Sequence, residues 1–266
     1  MKHHLWALAC MFAALPLAAQ PKLLINAQVD TRSASSGLAP EFRQLVAASP
    51  QAAWIGYSVP SQRGGNLGCD YVRDGGASAG VVHLEPPDNA VVLFRIEGNA
   101  VGRIRALSPY CEIDAGGLPV HWITDVRAGD SVALLATFAL DVGPSGDGAV
   151  SALAVHADPA AAAALERFLT PEQPEWLRLR IVSRLGPRGP RGIDLLKRLI
   201  SADSSQNVRR RAVSALTSVP EGAGIPVLID LVKTSQDAAI RKQAMNLLQQ
   251  SRDPRALEFF EEVLKR

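Results

Sequence analysis

Apolar residues are distributed in two different ways along the chain. Between about residues 22 and 127 they come in short runs bounded by turn formers. Trp54-Ile55-Gly56-Tyr57-Ser58-Val59 closes at Pro60, and Val81-Val82-His83-Leu84, Ala90 to Ile96 and Val101 to Leu107 follow. Such runs predict strands. Glu97-Gly98-Asn99-Ala100 separates the last two, and because Gly and Asn accept positive φ a tight hairpin is expected there. Phe42, Leu45 and Val46 recur at helical spacing, which predicts a helix over Ala39 to Ala48. Asp130 is expected to cap a helix running through Val132, Leu135 and Phe138.

Asp141 to Gly148 (Asp-Val-Gly-Pro-Ser-Gly-Asp-Gly) reads as a turn, and beyond it the pattern changes. Leu153, Leu185, Leu216 and Leu248 are spaced by 32, 31 and 32 positions. Asp158-Pro159 and Asp253-Pro254 each place an N-cap before a first-turn proline, and Thr170-Pro171 with Gln173 has the form of a capping box. The expected pairs are 146–156 with 159–169, 174–186 with 190–201, 206–217 with 222–233, and 237–250 with 254–265. One such pair cannot bury its apolar face alone, whereas four stacked pairs form a continuous core. The predicted fold is a small α+β domain over 21–141 followed by an all-α solenoid of about four helix pairs over 146–266.

Asp237-x-x-Ile240-Arg241-x-x-Ala244-x-x-Leu247-Leu248 resembles the HEAT-repeat pattern, in particular the short kind named after phycobilisome lyases. Val208-Arg209-x-x-Ala212-x-x-Ala215-Leu216 is similar, with Ser205 where the pattern has Asp. Leu177-Arg178-x-x-Ile181-x-x-Arg184-Leu185 is looser, with Pro174 at that place, and the first repeat keeps only Leu153 and Asp158-Pro159. The resemblance covers about 146–266 and implies a scaffold or adaptor that binds another protein. Lyase activity does not carry over, since no bilin-attachment chemistry is visible. The whole is similar to exported bacterial HEAT-repeat proteins; the first domain resembles no family that can be named from its residues.

Composition adds a compartment. Lys2, His3 and His4 precede an apolar core from Leu5 to Leu17, and Ala18-Ala19-Gln20 offers small residues for cleavage, so 1–20 is expected to be a signal peptide and the mature chain periplasmic or secreted. Cys10 lies inside that core with Ala7 three residues before it, which argues against lipid attachment. No other apolar run approaches membrane-spanning length. Cys69 and Cys111 remain, an even count that favours a disulfide in an oxidising compartment, with two separate buried thiols as the alternative. The halves differ in charge: residues 21–155 carry −4 and residues 156–266 carry +5. The basic bias suits an acidic partner segment and is too weak and mixed for nucleic acid.

The candidate chemistry is sparse. Arg178, Arg209 and Arg241 follow the buried Leu177, Val208 and Ile240, where a structural pairing with a neighbouring repeat is expected. Arg210 and Lys242 point away from the core, and with Arg211 and Arg180 they form a basic strip that reads either as a docking surface or as a solvated helix face. Pro187-Arg188-Gly189-Pro190-Arg191-Gly192 reads as a turn or as a small anion site. Phe259 and Phe260 lie in the last helix, where one is expected to face the core while Glu258, Glu261, Glu262 and Lys265 cap the array. Trp54, Tyr57, His83 and His121 are the residues that a ligand pocket in the first domain would use, the alternative to a scaffold. Cys111 with His83 and Asp114, or His121 with Asp125, would be the catalytic sets, but no nucleophile motif accompanies them, and the glycine-rich stretch at 63–68 lacks the Lys-Ser/Thr of a phosphate loop. Three mature histidines without CxxC or HxxxH spacing do not make a metal site, and no cofactor is expected.

Overall fold

The computed structural model describes residues 24–62, 67 and 87–265. The signal segment, the Val81–Leu84 run, His83, Cys69 and all of the glycine-rich stretch except Leu67 lie outside these residues. Strands β2 (Gln28–Ser33), β3 (Ala53–Pro60), β4 (Asn89–Glu97), β5 (Ala100–Leu107) and β7 (Pro119–Thr124) form one sheet in the order β2-β7-β3-β4-β5. β7 is parallel to both of its neighbours, and the β3–β4–β5 half is antiparallel. Helix α1 (Leu38–Ala47) carries the chain from β2 past β7 to β3. β1 (Leu24–Ile25) and β6 (Ile113–Asp114) form a separate parallel pair.

Alternation along β3 and β4 divides the sheet into two faces. Ile55, Tyr57, Val92, Phe94 and Ile96 are buried towards the helices, where Phe94 meets Phe42 at 4.7 Å and Phe138 at 5.9 Å between ring centroids. The other face holds a smaller cluster of Val91, Leu93, Leu107, Cys111 and Trp122. Gly56 belongs to that side because Trp122 and Leu93 occupy the space of a side chain; a Cβ there would lie 2.7 Å from Leu93 Cδ2. The hairpin forms as expected, with Gly98 and Asn99 both at positive φ (59° and 61°). Asn99 also donates through Nδ2 to the carbonyls of Val46 and Ala47, at 3.2 and 2.7 Å, and so ties the turn to the end of α1.

Helix α2 (Ala128–Phe138) starts before Asp130, with Arg127 in extended conformation as its N-cap. Asp130 instead sits in the first turn, where it favours the helix dipole and accepts a 2.9 Å hydrogen bond from Arg127 Nε. The expected turn over 141–148 shrinks in the same way. Only Asp141–Gly143 turns, and α3 (Pro144–Val155) begins with Gly143 at φ 106° and Pro144 in its first turn. The glycines inside α3 are packing notches rather than turn formers. A Cβ on Gly148 would lie 2.0 Å from Ile104 O, and one on Gly146 2.0 Å from Asp141 O. α3 therefore lies directly against the β5 backbone, with eight of its residues buried, from Ser145 to Ala154.

From α3 the chain continues as a run of helices: α4 (Pro159–Arg167), α5 (Glu175–Val182), α6 (Gly189–Ala202), α7 (Gln206–Ala215), α8 (Ile225–Thr234), α9 (Ala238–Gln250) and α10 (Pro254–Leu264). These pair as the repeat predicts. The side chains of Asp158, Asp237 and Asp253 accept first-turn backbone N–H bonds at 2.7, 2.8 and 3.0 Å, and Ser205 supplies the equivalent cap for α7 at 3.3 Å. Thr170 does not cap a helix. Residues 170–173 form a turn, and α5 starts at Glu175, because Gln173 precedes a proline and is pushed out of the helical region. A single apolar cluster runs from Ala34 through the sheet and α3 to Phe259, so the core continues across residues 141–146. A short ladder reinforces this junction, with Gln62 N donating to Val155 O at 2.8 Å and Ala157 N to Pro60 O at 2.9 Å.

Two glycine-to-alanine changes in neighbouring helices are expected to act in opposite directions. Gly148→Ala forces α3 off β5 and should cost about 1–3 kcal/mol. Gly129 has nothing within 4 Å of a Cβ, so Gly129→Ala should gain up to about 1 kcal/mol from helix propensity. Urea unfolding midpoints measure both, and equal effects would contradict the close approach.

Candidate functional site

The first helices of the pairs, α3, α5, α7 and α9, stack side by side, and the last three carry an arginine column at their inner edge. Arg178 is buried, donating through Nη1 to the carbonyls of Pro171 (2.9 Å) and Gln173 (2.6 Å) and through Nη2 to Asp203 Oδ1 (3.2 Å). Its Nε lies 3.2 Å from Asp203 Oδ2 without the alignment of a hydrogen bond. Arg209 repeats the arrangement, bonding Asp203 O at 2.8 Å with Asp237 Oδ2 3.6 Å away, and Arg241 bonds Ser235 O at 2.7 Å. Each arginine closes the loop before its own helix, and the first two also reach an acid at the start of the next repeat. Where the repeat pattern lacks its Asp, Ser205 caps the helix and Asp203, two residues earlier, takes the charge. These arginines hold the stack together.

The expected contact strip divides. Arg210, Arg211 and Lys242 are exposed on α7 and α9. Arg210 Nε donates to Gln243 Oε1 at 3.3 Å, while Gln243 Nε2 donates to Arg210 O at 2.9 Å and to Ser214 Oγ at 2.8 Å, which fixes the spacing of the two helices. Beside them, Leu179, Asn207, Arg210, Arg211, Ser214 and Gln243 line an open depression of about 330 Å³. Arg180 does not belong to this surface. Its side chain, 12% exposed, is bound by Asp147, Ala139 O and Asp141 O and lies over the Trp176 ring at 4.8 Å. Arg184 and Arg103, which sequence reasoning missed, take its place. Both are exposed and line a second depression of about 260 Å³ between β5 and α3, with Arg105, Pro144, Asp147 and Ser151. Arg184 is four residues beyond Arg180, just past the end of α5, so spacing could have pointed to it; Arg103 becomes a neighbour only through the α3–β5 contact. Among the described residues Arg103, Arg184, Arg211 and Lys242 have no ion-pair partner.

The three pocket residues among those described, Trp54, Tyr57 and His121, do not converge, and His83 lies outside the described residues. Tyr57 is fully buried on the helix side of the sheet, where its hydroxyl accepts from Ser131 Oγ at 3.1 Å and burial pushes its pKa far up. Trp54 is on the opposite face beneath the Arg95 guanidinium, at 5.4 Å, beside a shallow depression. His121 faces Asp30, with Nδ1 3.4 Å from Oδ2, rather than Asp125, which instead accepts from Ser33 and Thr124. Cys111 is buried against the outer face, while Asp114 accepts from Asn26 and from Gly116 N. His121 and Asp125 therefore do not pair, and the set of Cys111, His83 and Asp114 includes His83, which lies outside the described residues. Residues 187–192 end a short 3-10 turn and open α6, and their arginines are engaged: Arg188 is bound to Ala154 O, Arg191 to Glu166, and Gly189 has φ 64°. No group of three His, Cys, Asp or Glu side chains suited to a metal occurs among the described residues, nor does any helix long and apolar enough to cross a membrane. In α10 Phe259 is buried, with Phe260 half-buried against it, while Leu257, Val263 and Leu264 are exposed.

A family model for HEAT repeats matches residues 193–266, the stretch from within α6 through α10. No curated protein matches the chain. Repeats of this family generally mediate protein–protein interaction or scaffolding and are typically non-catalytic.

Two stability predictions follow from these contacts. Asp203→Ala leaves Arg178 buried and unpaired and should cost about 3–5 kcal/mol. Asp237→Ala, at a more exposed pair, should cost less, mostly through the lost cap; urea midpoints test that order. At the α3–α4 junction His156 is fully buried, its Nδ1 accepting from Asp158 N at 3.1 Å and its Nε2 without a partner. Burial, opposed by nearby Asp158, holds its pKa below the ordinary 6.5. The native state thus binds fewer protons than the unfolded chain, so stability is retained above about pH 6.5 and falls as the pH drops below it. His156→Asn should flatten that part of the pH–stability curve.

Proposed function

We propose that the protein is a non-catalytic docking scaffold, exported to the periplasm or secreted, that binds an acidic segment of another protein along the exposed face of its first helices. The observation that carries the reading is the set of exposed basic side chains Arg211 and Lys242 on α7 and α9, with Arg184 just past the end of α5, without ion-pair partners among the described residues. Arg103 adds to it from the sheet. A solvated helix face tolerates such charges, but a partner that binds several of them needs their helices held in a fixed arrangement, and the Arg178–Asp203 and Arg209–Asp237 contacts between successive repeats support that. The repeats are of the short HEAT kind, and the mature chain begins near residue 21. In an oxidising compartment Cys111 pairs with Cys69; intact mass with and without reduction tests that bond.

Individual contacts on such a surface contribute about 0.2–1 kcal/mol each, so several must act together. A dye-labelled poly-Glu peptide should bind the mature chain with an affinity that falls as salt rises. The Arg184→Glu/Arg211→Glu/Lys242→Glu protein should bind it at least about tenfold more weakly, since three lost contacts and added repulsion exceed about 1.4 kcal/mol. Binding insensitive to both salt and charge reversal would sink the proposal.

A further inference from the structure

Beside the basic face the molecule exposes apolar side chains that its fold does not require. Val142 is 83% exposed, Leu140 50% and Trp176 38%. Arg180 brings the three together. Its Nη1 donates to Ala139 O at 3.2 Å and Asp141 O at 2.8 Å, which clamps the turn carrying Leu140 and Val142, and its guanidinium stacks on Trp176. Gly146 makes this reach possible, since a Cβ there would lie 2.5 Å from Arg180 Nη1. The clamp ends at Asp147, which with Pro144 lines the depression holding Arg103 and Arg184. The apolar patch and the basic depression therefore share a border, and the border is held by one nearly buried arginine.

Resting on the docking reading above, we infer that Leu140, Val142 and Trp176 form an anchor site for an apolar side chain carried within the acidic partner segment. Charge complementarity on one side and a rigid apolar platform on the other select a segment with carboxylates next to a leucine or an aromatic residue, not a uniformly polar acidic tail. Rigidity matters because a patch that is already ordered loses little entropy on binding. Arg180 is a positioning residue, since its hydrogen bonds are committed to the turn and its cation–π contact to Trp176.

The test uses two dye-labelled peptides, one of Glu and Ser only and one with a single central Leu, and the Leu140→Ser/Val142→Ser protein. Both positions are at least half exposed, so the fold should be unaffected. The Leu peptide should bind the parent protein about tenfold more tightly than the all-polar one. In the variant that ratio should fall to about one, with the affinity for the all-polar peptide and its salt dependence unchanged. A ratio that stays near tenfold in the variant overturns the anchor site alone. An all-polar peptide that ignores Arg184→Glu/Arg211→Glu overturns the docking reading, and the anchor assignment with it.

Discussion

The contact between α3 and β5 is the constraint on which the rest of the structure depends. A helix carrying ordinary side chains along that line could not come so near the strand, because Gly148 stands where a Cβ would overlap Ile104 O. The close approach places one helix in two roles. α3 covers the inner face of the sheet beside α2, and it is also the first helix of the stack that α5, α7 and α9 continue. The apolar core is unbroken as a result, and Arg103 and Arg105 of β5 come to lie beside Arg184.

Arginine shows how position decides what a charge does. Arg178, Arg180 and Arg184 lie within seven residues of one another around α5 and have three different fates. Arg178 faces the loop before its helix and is buried among carbonyls and Asp203, where loss of a partner is far costlier than the pair is worth in itself. Arg180 reaches backwards to the α2–α3 turn and is consumed in holding it. Arg184, just past the end of the helix, lines the open depression. A docking reading therefore rests on the third kind, and net charge alone does not distinguish it from the other two.

The HEAT match over 193–266 and the helix pairs agree on a module whose family generally serves protein interaction. In this chain the module is fused through α3 to a mixed sheet that presents no assembled set of catalytic side chains among the described residues. The sheet instead places Arg103 of β5 beside Arg184 in one depression.

Much of the fold was legible in the sequence because its signals are local. Turn chemistry at Gly98-Asn99, helical spacing at Phe42, Leu45 and Val46, and the 31–32-residue recurrence of leucine each depend on neighbours a few positions away, and the helix pairs stand where that recurrence places them. The misreadings share one cause. Gly146 and Gly148 look like turn residues, Arg180 looks like a surface cation and Trp54 with Tyr57 looks like a pair, because local pattern does not reveal what lies opposite. Period two along β3 separates Trp54 from Tyr57, and Asp141 and Asp147 claim Arg180. The sequence by itself determined the elements and their order, through propensity and periodicity. Only the tertiary structure decided which charges remain exposed, because that depends on contacts between residues such as Ile104 and Gly148 that no local pattern relates.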